Sequence, residues 1–129
     1  MTIAITPIYA ALTTVIFLIL SGRVVAYRRA NMLSLGDGGD KNLLKRMRAQ
    51  ANWVEYTPLA LLLLLMTEIQ GAPALALHLL GLSLLLGRAL HAIGFAATPQ
   101  KIILRQIGMV LTLLSLILSS LGLLGHALF

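Results

Sequence analysis

The sequence predicts an all-α integral membrane protein, a bundle of four hydrophobic helices, and three observations carry that prediction. The 129 residues are 59% hydrophobic and only 11% charged, with a mean hydropathy of +0.94, whereas soluble domains carry about 25% charged residues. Four apolar runs recur along the chain, each near the ~20 residues that cross ~30 Å of hydrocarbon. All ten Lys and Arg fall at one end of the helices these runs imply. So short a chain cannot bury such runs in a core of its own, and the surplus apolar surface requires lipid.

Helix one is expected over 7–27, with Pro7 in the first turn, where a missing N–H costs little. It lacks a basic n-region and a small-residue cleavage site, so it reads as a retained helix rather than a signal peptide. The loop Gly36-Asp37-Gly38-Gly39-Asp40 supplies positive-φ positions, and Asp40 is placed to cap helix two. Helix two is expected over 47–69, with Pro58 inside it as a kink whose freed carbonyl neighbouring helices compensate. Gln70-Gly71-Ala72-Pro73 turns the chain into helix three, 73–95, and Thr98-Pro99-Gln100 into helix four, 102–125. Residues 1–129 thus form a single transmembrane domain.

The basic residues set the orientation. Arg23, Arg28, Arg29, Lys41, Lys45, Arg46 and Arg48 flank the first loop, and Arg88, Lys101 and Arg105 the third. The second loop and both tails hold none, which places loops one and three in the cytoplasm and both termini on the opposite side. The net charge of +6 is therefore a topology signal, and no nucleic-acid partner is expected. There are no cysteines, which excludes disulfides, thiolate nucleophiles and Cys-type metal centres; no metal site is expected.

Ionisable residues within a span cost about 2.5–3.5 kcal/mol each on insertion scales, and so mark functional candidates. On helix two, Arg48, Asn52, Glu55 and Tyr56 follow i, i+4, i+7, i+8 spacing and form one stripe. Glu55 lies about 10 Å deeper than Arg48 and needs a cation, a hydrogen-bond network or a proton. Arg88, His91 and Phe95 share a face of helix three, with Arg88 one candidate partner of Glu55. Arg105 and Gln106 open helix four. These residues together would form one pocket, open at one membrane face, for a small ligand carrying carboxylates and an ammonium. The alternatives are structural. Arg48 and Arg105 would snorkel to the interface, a Glu55–Arg88 pair would only hold the bundle together, and His91 would be a core histidine. Trp53 fits ordinary aromatic packing, and Glu68, His78 and His126, at the opposite end, have no assigned role.

The run Arg48-Ala49-Gln50-Ala51-Asn52-Trp53-Val54-Glu55-Tyr56-Thr57-Pro58-Leu59 resembles the MAPEG family, the membrane-associated proteins in eicosanoid and glutathione metabolism. Length, span number, the Arg28-Arg29 pair, the Arg88 and His91 series, Arg105 and the glycine-rich loop of small bacterial members occur in the family's order. The resemblance implies a homotrimer in a bacterial inner membrane, with glutathione as co-substrate bound between subunits near the cytoplasmic face. Carried over by position, Arg48, Asn52, Glu55, Tyr56, Arg88 and His91 would bind glutathione. Arg29 from another subunit and Arg105 would be catalytic, since a guanidinium beside a thiol stabilises the thiolate. The implied function is a glutathione transferase or peroxidase whose apolar electrophile arrives from membrane lipid. Phe95 stands where many members have tyrosine, and Gln106 where the prostaglandin E synthases place serine. Those departures motivate the alternative, a non-catalytic lipid or small-molecule binding protein on the same fold. A small proton-coupled exporter is disfavoured, because helix one has no acidic residue.

Overall fold

The computed structural model describes residues 3–129 and contains four helices: α1 (Thr6–Ala30), α2 (Lys41–Ile69), α3 (Ala74–Ala96) and α4 (Ile102–Leu128). Local chemistry sets each boundary. Pro7 lies in the first turn of α1, and Arg28 and Arg29 in its last, where cations complement the helix dipole. The Asp40 carboxylate accepts from the backbone N–H groups of Asn42 and Leu43, so α2 starts six residues before the apolar run and carries a polar first third. Gly71, at φ 81, ends α2. Its N–H donates to the Glu68 carbonyl and that of Ala72 to the Thr67 carbonyl, a Schellman pair. α3 stops just before Thr98-Pro99, where the proline disfavours helical geometry in its predecessor.

Three helices, α1, α3 and α4, are long and apolar enough to cross a membrane. α2 is the longest, with 29 residues, but Lys41, Lys45, Arg46, Arg48 and Glu55 dilute its hydrophobicity. α2 is the least apolar of the four helices, and its apolar part lies mainly beyond Tyr56. The helix runs unbroken through Pro58.

α3 and α4 share the most extensive contact, α2 touches all three other helices, and α1 and α4 do not meet. The α3–α4 seam is made of small residues. A Cβ built on Gly87 would lie 2.8 Å from the Gly108 carbonyl oxygen, and one on Gly108 would lie 2.5 Å from the His91 nitrogen. Gly108, Thr112, Ser115 and Ser119 form the buried stripe of α4. Ser115 and Ser83 extend the seam with hydrogen bonds to the Leu80 and Leu111 carbonyls. Lipid offers no hydrophobic drive between helices, so close backbone approach and such bonds hold them together.

α1 is attached by polar pins. Trp53 Nε1 donates to the Thr13 carbonyl, and Gln50 to the Ser21 hydroxyl. Glu68 accepts the N–H groups of Ala4, Ile5 and Thr6 at 2.7–2.8 Å. This carboxylate, without an assigned role in the sequence, thus caps another helix across the bundle. Nearby, the Tyr9 hydroxyl meets His78 Nδ1 at 2.9 Å.

Candidate functional site

The polar residues of α2 divide into an inner and an outer set, because successive positions of a helix point 100° apart. Asn52 turns inward. Its Oδ1 accepts from Arg88 Nη1 at 2.8 Å, and Arg88 Nε donates to the Thr112 hydroxyl at 2.9 Å. Arg88 is 2% exposed, with its remaining nitrogen 3.6 Å from the Met109 sulfur and its guanidinium 5.8 Å from the Tyr56 ring. A guanidinium in so apolar a place is tolerable because fixed dipoles replace water around it. Arg88 consequently ties α3 to α2 and α4 and orients the Asn52 side chain.

Glu55 faces outward and does not meet Arg88. Its partner is Arg48, seven residues earlier on α2, at 3.4 Å, with the two side chains 54% and 47% exposed. The candidate Glu55–Arg88 pair is therefore corrected. The reason is angular: Glu55 lies three positions beyond Asn52, enough to carry it off the inward face. Glu55 also borders a groove of about 520 Å³ between α1 and α2, opposite Val24 and Arg28.

His91 is buried at the α3–α4 seam, its ring 5.5 Å from that of Phe95. Arg105, at the start of α4, lies 4.1 Å over the Phe95 ring and donates to Gln100 Oε1 at 2.7 Å, while its Nε is buried without a partner. Phe95, lacking a hydroxyl, thus serves as a cation–π platform. Gln106 is exposed on another face.

Arg29 lies at the end of α1, exposed, beside a groove of about 510 Å³ that Arg28 and Met32 also line. Since α1 and α4 do not touch, Arg29 and Arg105 are not brought together within one chain. Within one chain these residues sort into an inner layer, Asn52–Arg88–His91 with Arg105 at its edge, and an exposed layer, Arg48–Glu55, with Arg29 apart from both.

Thr112 was absent from the sequence-derived set although it completes the Arg88 network. The spacing of Gly108, Thr112, Ser115 and Ser119 is the signal that identifies its face. Outside the site, the Tyr27 hydroxyl donates to Asp40 Oδ2 at 2.8 Å, Arg46 lies 4.8 Å over the Tyr27 ring, and Lys45 Nζ donates to the Ala97 carbonyl and the Thr98 hydroxyl. These contacts clamp both loops to the basic end of α2. The Tyr27 hydroxyl, aided by the backbone N–H groups of Asn42 and Leu43, holds the Asp40 carboxyl below its ordinary range, against the opposing pull of partial desolvation.

Comparison with known proteins places the chain among membrane proteins. The chain is 36% identical over 91 residues to the inner membrane protein YecN of Escherichia coli strain K12, covering 70% of each chain. The same identity and coverage hold for YecN of Escherichia coli O6:H1. The sequence model of the MAPEG family matches residues 6–125, which take in α1 to α3, α4 as far as Gly125 and every polar residue of the site, and the chain belongs to that family.

Proposed function

We propose that this protein binds glutathione between subunits of a homotrimer and activates its thiol toward apolar electrophiles, as a membrane-bound glutathione transferase or peroxidase. The observation that carries the reading is the exposed Arg48–Glu55 pair beside an Asn52 amide already oriented by Arg88. A zwitterionic tripeptide needs an anion for its ammonium and cations or amide donors for its carboxylates, and α2 offers both. With Oδ1 engaged by Arg88, the Asn52 amide nitrogen is left to donate. Arg88 then acts through Asn52 rather than by touching the ligand.

Arg29 supports the trimer, because it is exposed on a helix remote from Arg105, and a neighbouring subunit's α1 would bring it to the thiol. Exposed apolar residues along α1 and α4, such as Leu18, Ile19, Val110 and Ile117, suit lipid and subunit contacts. The ten basic residues at one end support cytoplasmic loops one and three, and the inner-membrane relatives support that membrane as the location.

The test is direct. Purified protein titrated with glutathione should bind at millimolar concentration or better and form conjugate with a chloronitrobenzene; absence of binding refutes the reading. A second reading, a non-catalytic binder of lipid, is favoured by one observation, the engagement of Arg105 with Phe95 and Gln100. Glutathione binding with no turnover and lipid retained on purification would select it.

A further inference from the structure

On the side of α1 away from the Arg48–Glu55 layer, α1 and α3 splay apart at the basic end. They leave a groove of about 250 Å³, walled by Ile16, Ile19, Ala89, Ala92 and Ile93 and closed at one end by Arg23. Its floor is open because α3 presents small residues there: Ala89, Ala92 and Ala96 recur at helical spacing. Leu20, Arg23 and Ala96 also border a narrow crevice that reaches Lys45 and Arg46. The apolar groove thus runs into a cluster of three cations, and no carboxylate lines either part.

Arg23 lies seven residues before the end of α1, about 10 Å along the axis. Its guanidinium takes part in no hydrogen bond or ion pair among the described residues, whereas Lys45 and Arg46 are held by the Ala97 carbonyl and the Tyr27 ring. A half-buried guanidinium at this depth is costly unless an anion or water reaches it.

We infer that this groove binds an anionic phospholipid from the leaflet at the basic end, with an acyl chain between α1 and α3 and the phosphate at Arg23, flanked by Lys45 and Arg46. The groove lies apart from the proposed glutathione site and requires nothing of it. Charge complementarity selects the occupant. A zwitterionic lipid brings its own ammonium to three cations, and a free phosphate leaves the apolar groove unfilled.

The experiment is a comparison of lipid binding by native mass spectrometry and by thermal stabilisation, with phosphatidylglycerol and phosphatidylcholine added separately to the delipidated full-length protein. Phosphatidylglycerol should be preferred. Arg23→Gln should reduce that preference about fivefold, the contribution expected of one basic residue at a membrane surface, while Arg23→Lys keeps most of it. Lys101→Gln, which changes a basic residue at the same end outside the groove, should leave the preference unchanged. Ala92→Phe should exclude the chain and lower binding of both lipids at this site. Should Arg23→Gln not fold, Ala92→Phe decides. Equal binding of the two lipids, undiminished binding by Ala92→Phe, or competition by glycerol phosphate as effective as by whole lipid each overturns the inference.

Discussion

Arg88 holds Asn52 in place: the guanidinium of α3 donates to the side-chain oxygen of an α2 amide at 2.8 Å while its Nε reaches Thr112 on α4. Arg88→Met should remove both bonds and leave the half-buried Asn52 oxygen and the buried Thr112 hydroxyl without this donor, costing about 1–3 kcal/mol. Arg88→Lys should rescue little, because a single ammonium does not reproduce a planar fork that spans two helices. Thermal unfolding in detergent measures the loss, and an unchanged melting temperature in Arg88→Met would show the network to be unimportant.

The exposed layer should behave in the opposite way. An ion pair on the surface of the bundle contributes about 0–1 kcal/mol, so Glu55→Gln should leave the melting temperature nearly unchanged while weakening glutathione binding. Calorimetric titration beside a melting curve separates the two effects. Unchanged affinity would remove Glu55 from the site.

Arg29→Ala should lower turnover more than affinity, since the thiolate proposed as its partner forms only on ionisation. Steady-state kinetics at varied glutathione reads this as a fall in kcat with little change in KM. An equal loss of both would cancel the assignment.

Gly108→Val should prevent normal assembly of α3 on α4, because even its Cβ would lie 2.5 Å from the His91 nitrogen and 2.6 Å from the Gly87 carbonyl oxygen. Both neighbours are backbone, so no rotamer change relieves the contact, and overpacking costs about 1–3 kcal/mol or more. Gly122→Ala, where no atom lies within 4 Å, is the control and should fold normally.

Asp40 links the first loop to pH. Its folded pKa is depressed, chiefly by the Tyr27 hydroxyl, so its contribution is present above the unfolded carboxylate pKa of about 4 and disappears as pH falls through the lower folded value. Tyr27→Phe removes the largest cause, raises the folded pKa and should shift loosening of residues 31–40 to higher pH. Limited proteolysis of the loop across an acid series reads the shift.

The helices, their turns and the Asp40 cap were legible in the sequence, because spans, glycines and an N-cap are local signals. The polar stripe of α2 was legible as a stripe but not as two layers. A spacing of i, i+4, i+7, i+8 covers an arc wide enough to hold both an inward Asn52 and an outward Glu55, and only the positions of α3 and α4 decide which is which. Thr112 and Glu68 were missed for a related reason. Each acts on a residue far away in sequence, Arg88 in one case and the backbone of Ala4, Ile5 and Thr6 in the other, and periodicity carries no information about such partners.

The polar first third of α2 bears on how the chain enters the bilayer. Its end charges can stay at the interface, but an ionisable residue deeper in a lone inserting helix, as Glu55 is in α2 and Arg88 in α3, costs up to about 2.5–3.5 kcal/mol, so neither segment is well suited to partition by itself. Asn52 of α2 is satisfied by Arg88, and Arg88 in turn by Asn52 and Thr112, so α2, α3 and α4 relieve one another only as a group. Insertion of α2 should therefore wait on synthesis of the helices that follow it, making the completed chain, rather than each segment in turn, the unit that the membrane accepts.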